Sequence, residues 1–365
     1  MHKSIFENMP AIVMANDKTE LTIVTQGGAM TRLVLRDDPA QLSPLWDPIR
    51  LARESHTKNI FGPSMGHFVC VDGFGPVSPE ERAAGLPFHG EAYEQRWELV
   101  SSSKESSLAA VTFSVKLPLV DETFERTLRM VDGENIVYVE SRLESLTAFD
   151  RPICWAEHAT IGTPFLQPGV TVVDMPAGRA QTRPHEPGDA GELRHRLPSG
   201  QDFTWPIAPA VEGGKLDMRI SPKTGGLTDH TTCLMDPARD NVFVTALNPE
   251  KKLLFGYLFR RQDFPWVQSW EYYPEQGGWA RGLEFSTQPY DLPRREAVRM
   301  HSLFDAPTYR WLPARSRVTT HFLMFCTRTP EGLRKVDDVR VENGQLVIED
   351  HQARKQVTLA VSRSL

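Results

Sequence analysis

A carboxylate inside an apolar strand is the first feature of this sequence that asks for a chemical reason. Glu284 lies in ARGLEFSTQPYD (280–291), where an extended backbone sends Leu283 and Phe285 to one face and Gly282, Glu284 and Ser286 to the other. Burying an unpaired carboxylate is costly unless its pKa shifts, so such a Glu is paired, solvated by a cleft, or used as a base. We read it as lining a cleft; the plain alternative is the wet face of an antiparallel strand. His158, in ICWAEHATIG (153–162), is the second candidate, because an imidazole both donates and accepts a proton near neutral pH. Alternation sets Glu157 and His158 on opposite faces, so one of them at most meets a given cleft.

Other candidates cluster in FGPSMGHFVCVDGFG and LPFHGEAYEQRW, between residues 61 and 97. On an extended backbone His89 and Glu91 share a face and could grip a polar ligand. They would need further ligands at suitable spacing to hold a metal, and HxE alone is a weak signal. His67 and Asp72 carry the same ambiguity between ligand and turn or core residue. In GLTDH (226–230), Asp229 and His230 form a polar cluster of the kind that often caps turns. Trp266, Gln268 and Trp270 fall on one face of PWVQSWE if it is extended, and such a face suits a sugar ring as well as it suits a core. The chain has no GxSxG elbow, no GxxxxGK[ST] loop and no strand-linked GxGxxG, so serine hydrolase, nucleotide hydrolase and dinucleotide chemistry lose their main support.

The elements that must carry these residues are strands. Val111, Phe113, Val115 and Leu117 alternate with polar residues, and residues 123–131 and 135–143 follow after short connections, which predicts an antiparallel meander. Runs at 21–25, 29–36, 153–162, 241–247, 253–260, 266–272, 280–287 and 317–326 read the same way, and Asn343-Gly344 predicts a two-residue hairpin. Helix is scarce: residues 78–84 carry a Ser cap, a proline start and early glutamates. A turn of helix is also expected after Pro330. The Pro- and Gly-rich region 176–232 reads as long loops over one end of the sheets. The expectation is one all-β domain over 1–365 with a loop-rich insertion at about 176–232, built from two packed, mostly antiparallel sheets.

Composition narrows the function classes. The 365 residues are 40% hydrophobic and 24% charged, ordinary values for a globular chain. A net charge of −6 and no basic run argue against a nucleic-acid partner. Nothing approaches 18 consecutive apolar residues, and the N-terminus has no signal-peptide pattern, so no membrane association and a cytoplasmic location are expected. Cys70, Cys154, Cys233 and Cys326 are far apart and read as buried free thiols.

Taken in order, the motifs resemble the galactose mutarotase (aldose 1-epimerase) superfamily. FHGE at 88–91 resembles its HGG segment, EHATIGTPFL at 157–166 its mid-chain histidine strand, TDH at 228–230 its DH element, and GLEFSTQPYD at 282–291 its LETQ-type strand. The resemblance spans roughly residues 20 to 326 and implies a β-supersandwich. It implies Glu284 as general base and His158 as general acid, with His89 as a substrate ligand and Asp229 as a hydroxyl-binding carboxylate; Glu91, His67 and Trp270 are added as candidate substrate-binding residues from their own settings in the sequence. The resemblance further implies ring opening of an aldose or sugar derivative, with no cofactor, no metal and a small carbohydrate as partner. A non-catalytic carbohydrate-binding or regulatory protein of the same fold is the alternative, and open sheet edges leave room for a homodimer. This chain departs from the family where HGG reads HGE and where MGHFVCVDGFG replaces an arginine and asparagine cluster.

Overall fold

Two large sheets face one another across an apolar interior, and the computed structural model describes residues 1–186 and 188–365. In the larger sheet, Trp155–Gly162 lies between His67–Val71 and the split strand Ala280–Gly282 and Glu284–Ser286. Beyond the split strand come Trp266–Tyr273 and then Leu227–Met235, all antiparallel. Glu284, His158, His67, Asp229, His230 and Trp270 therefore occupy five neighbouring strands, while Asp72, His89 and Glu91 lie in the connection between His67–Val71 and Glu98–Glu105.

The second sheet contains the expected meander. Leu108–Leu117, Glu122–Val131 and Ile136–Ser145 pair in chain order, and Arg317–Arg328, Leu253–Arg260 and Asn241–Asn248 continue it. Val111, Phe113, Phe124 and Leu128 from this sheet meet Val69, Trp155 and Phe285 from the other in one core. Phe259 and Phe285 stack across the gap, with centroids 4.4 Å apart. Each such side chain contributes about 1.5–3 kcal/mol by leaving water. A third sheet, Asp338–Glu342, Gln345–Asp350 and Lys355–Ala360, covers the outer face of the second through Leu346, Ile348 and Leu359. Asn343 and Gly344 form its hairpin with φ of 50° and 75°, as a type I′ turn requires.

Some expectations need correction. The region 176–232 is not only loops: Ala177–Thr182, Asp202–Thr204, Ile207–Pro209 and Lys215–Asp217 extend the large sheet past Leu227–Met235. Most are three residues long, too short to show alternation. The helix Pro79–Ala83 has the expected Ser78 cap, closed by a reciprocal bond to Glu81. Residues after Pro330 form a turn without helix. Two further helices, Pro48–Glu54 and Arg294–Met300, are seven residues each, shorter than the window in which a 3.6-residue period is legible.

The sheets are also joined by charge. Glu157, fully buried, accepts from Arg126 Nη2 at 2.6 and 2.7 Å and from Trp155 Nε1 at 3.1 Å, and pairs with His67 Nε2 at 2.8 Å. His67 Nδ1 in turn lies 3.0 Å from the Tyr257 hydroxyl. Arg126 and Tyr257 belong to the second sheet, so this polar cluster spans the core. Burial alone would raise the Glu157 pKa; Arg126 and His67 outweigh it and hold the carboxyl below its ordinary value. Removing one partner of a buried pair strands the other charge. Arg126→Met should therefore cost about 3–5 kcal/mol in urea unfolding, with much of the loss recovered in Arg126→Met/Glu157→Met. A single variant as stable as the parent would contradict the cross-sheet role.

Candidate active site

The face of the large sheet turned away from the second sheet holds a cavity of about 440 Å³, with His89, His158, His230, Glu284 and Asp291 in its wall. Strand parity decides this membership. Glu157 points between the sheets, so His158 points out of them; Asp229 and His230 divide in the same way. Trp270, Trp46 and Phe61 form an aromatic side, their rings in edge contact at 4.8 to 5.9 Å.

Glu284 and His158 meet there. His158 Nε2 stands 3.5 Å from Glu284 Oε1, longer than a formed hydrogen bond. That oxygen is buried and has no hydrogen-bond partner among the described residues. Gly282 makes the approach feasible, because a Cβ there would lie 2.3 Å from the same oxygen. Burial, reinforced by the nearby charge of Asp291, pushes the Glu284 pKa well above its usual 4.5. Burial, with His89 beside it, pushes His158 well below 6.5. Its ring stacks on Phe68 at 4.2 Å and its Nδ1 lies 3.1 Å from the Thr160 hydroxyl. Both shifts favour the uncharged pair, with the carboxyl protonated and the imidazole neutral.

His89 is held as a neutral donor. The Gly75 N–H donates to its Nδ1 at 3.0 Å, so a neutral ring carries its proton on Nε2. Burial lowers its pKa to about 3. Gly75, at φ 74°, is also pressed against Asp291, and a Cβ there would lie 2.6 Å from that side chain. Asp291 takes Arg183 Nε at 2.6 Å and lies 3.6 Å from His230 Nδ1. His230 Nε2 is 3.0 Å from Gln268 Oε1, whose amide nitrogen donates to Gln288 O at 3.1 Å.

Of the seven residues singled out from the sequence, the cavity brings together Glu284, His158, His89 and Trp270. The other three correct the expectation. His67 faces the core in the Glu157 cluster. Glu91 does not share a face with His89, because His89 takes φ 67° and turns the chain; Glu91 instead accepts from the Leu119 N–H at 2.9 Å. Asp229 is held by Arg196 Nε at 2.5 Å and by the Arg196 and Leu197 amides at 3.0 Å. His230 occupies the cavity in its place, as the parity of TDH could have shown. Asp291 closes the GLEFSTQPYD motif but was given no role there, and the loop aromatics Trp46 and Phe61 carried no comparable signal. Among the described residues no cluster of three or more His, Cys, Asp or Glu side chains could hold a metal ion, and no helix is long and apolar enough to cross a membrane.

No family model matches the sequence, and no curated protein does either. Solved structures do. A candidate aldose 1-epimerase from Klebsiella pneumoniae superposes with a TM-score of 0.64 at 14% identity, over 90% of this chain and 82% of its own. A galactose mutarotase-like protein from Clostridium acetobutylicum gives 0.57 at 11%, over 90% and 98%. A galactose mutarotase related enzyme from Lactobacillus acidophilus gives 0.57 at 11%, over 91% and 100%. The chain therefore has the galactose mutarotase-like sandwich fold, with a sequence far diverged from these.

The raised Glu284 pKa carries a stability cost. Above pH 4.5 the unfolded chain has lost this proton while the folded one keeps it, so stability falls with rising pH until the folded pKa is passed. Glu284→Gln removes that slope. Its unfolding free energy should gain on the parent progressively as the pH rises above 4.5 in urea titrations, and a difference independent of pH would contradict the assignment.

Proposed function

We propose that this protein interconverts the anomers of an aldose or sugar derivative by acid–base ring opening, with Glu284 and His158 as the proton-transfer pair. The contact between a buried carboxyl and a buried imidazole in one cavity carries the reading. In a cyclic aldose the ring oxygen and the anomeric hydroxyl are bonded to the same carbon and lie closer together than a hydrogen bond. Two groups 3.5 Å apart are suitably spaced to reach both.

The chemistry needs one proton on the pair. From the uncharged state, His158 Nε2 takes the proton of the anomeric hydroxyl, the carbonyl forms, the bond from that carbon to the ring oxygen breaks, and the Glu284 carboxyl protonates the released oxygen. Rotation about the adjacent carbon–carbon bond turns the carbonyl over. Reclosure runs the transfers backward, with Glu284 as base and His158 as acid. The sequence resemblance assigns Glu284 the base's role and His158 the acid's in ring opening itself, the reverse of the assignment made here for that step. His89 Nε2–H supplies a neutral donor to a sugar hydroxyl, and Trp270 offers a flat face to ring carbons. Aldose chemistry is also what the solved structures of this fold are named for.

A raised carboxyl pKa and a depressed imidazole pKa widen the pH range in which the pair holds a single proton. The rate should therefore show a plateau between two limbs, falling well below pH 6.5 on the acid side and well above pH 4.5 on the alkaline side. Glu284→Gln and His158→Asn should each slow anomer exchange by about 10²–10⁴-fold, measured by NMR exchange spectroscopy on a panel of aldoses. Unchanged rates in both variants would remove the assignment. Sugar binding without exchange in the parent protein would indicate the non-catalytic binder instead.

A further inference from the structure

The cavity does not end at one sugar ring. A second hollow of about 350 Å³ adjoins it, and the two share Phe61, His230, Trp270 and Asp291 as common wall. The floor follows the strand Trp266–Tyr273. Gln268 lies opposite Glu284, His230 opposite Trp270, and Thr228 opposite Tyr272. From the Glu284 level to Tyr272 is four residues, about 13 Å of strand at about 3.3 Å each. That is longer than a single pyranose.

The floor is surfaced for a second ring. Trp270 and Tyr272 lie two positions apart on one face, and their rings stack with centroids 5.7 Å apart at 19°. Phe61 stands edge-on to both, at 5.8 and 5.1 Å. Successive aromatic faces along a strand offer sites for successive sugar faces. The far wall is polar and has an unfilled place. His195 Nδ1 lies 3.2 Å from the Thr228 carbonyl oxygen, so Nδ1–H donates and Nε2 keeps its lone pair in a neutral ring. That Nε2 is buried and has no partner among the described residues. Burial, with His185 stacked at 3.8 Å, disfavours its protonation. Buried acceptors are normally satisfied, and the residue that carries this one lines the hollow. Arg183, fixed to Asp291, borders the passage between the hollows.

We propose that the adjoining hollow is a second sugar subsite, and that the substrate is a reducing disaccharide whose reducing ring sits at His158 and Glu284 and whose other ring lies over Tyr272. The proposal rests on the assignment of the proton-transfer pair for which ring is placed where, but the existence of the subsite is tested separately from it.

The measurement pairs two readouts on glucose, galactose, maltose, cellobiose and lactose. Anomer exchange by NMR gives kcat/KM, and calorimetry gives Kd for the same sugars with the parent protein, Tyr272→Ala and His195→Ala. At least one disaccharide should exceed its own reducing monosaccharide by tenfold or more in both readouts. Tyr272→Ala should reduce that disaccharide-to-monosaccharide ratio by tenfold or more, and His195→Ala should reduce it in the same direction. Disaccharides no better than monosaccharides, or ratios unmoved by both variants, would overturn the subsite while leaving anomer exchange standing. No exchange of any sugar together with tighter, Tyr272-dependent disaccharide binding would overturn the catalytic assignment and keep the subsite.

Discussion

The site depends on a two-residue alternation in the strand Trp155–Gly162. Glu157 is locked between the sheets by Arg126 and His67, and the next side chain, His158, is thereby turned into the cavity. A slip by one residue would carry the imidazole into hydrocarbon and the carboxylate out of its ion pair. The charge cluster and the apolar core thus enforce the same register, and that register places His158. The strand is paired on both sides, so its register is also tied to His67–Val71 and to the strand that carries Glu284.

Around this strand the site combines groups that a protein interior ordinarily resists. The carboxyls of Glu284 and Asp291 and three imidazoles line one cavity, and burial favours the neutral form of Glu284 and of each imidazole. Neutrality makes the crowding tolerable. It also leaves polarised N–H and O–H groups on the cavity wall, where proton transfer is sensitive to their placement. The supporting contacts are close: Gly282 leaves space for Glu284, and Gly75 both orients His89 and abuts Asp291. A side chain at either glycine would move a functional group, so these positions link backbone geometry to chemistry.

Much of the architecture was legible from period-two patterning, because long half-buried strands such as Leu108–Leu117 display their parity openly. The same rule set Glu157 and His158 on opposite faces without saying which one meets the cleft; the resemblance singled out His158 and Glu284. Parity failed where the backbone was not extended: His89 lies in a turn with positive φ, so its spacing to Glu91 says nothing about a shared face. His67 could not be told from a ligand by sequence, since a core histidine and a cleft histidine on one strand differ only in which sheet covers them. Asp229 was chosen over His230 because TDH resembles the DH element of the family. Only the arrival of Arg196 from a distant segment shows that it is already satisfied. The short strands between 176 and 232 are recognisable through their partners and not through their own pattern.

The most direct test of the central claim is a crystal structure of the protein with a slowly reacting reducing sugar bound. The account predicts the ring oxygen and the anomeric oxygen within hydrogen-bond reach of His158 Nε2 and the Glu284 carboxyl, with His89 Nε2 on a neighbouring hydroxyl. A sugar bound in this cavity with its anomeric carbon remote from both groups, or a sugar bound only elsewhere on the molecule, would contradict it.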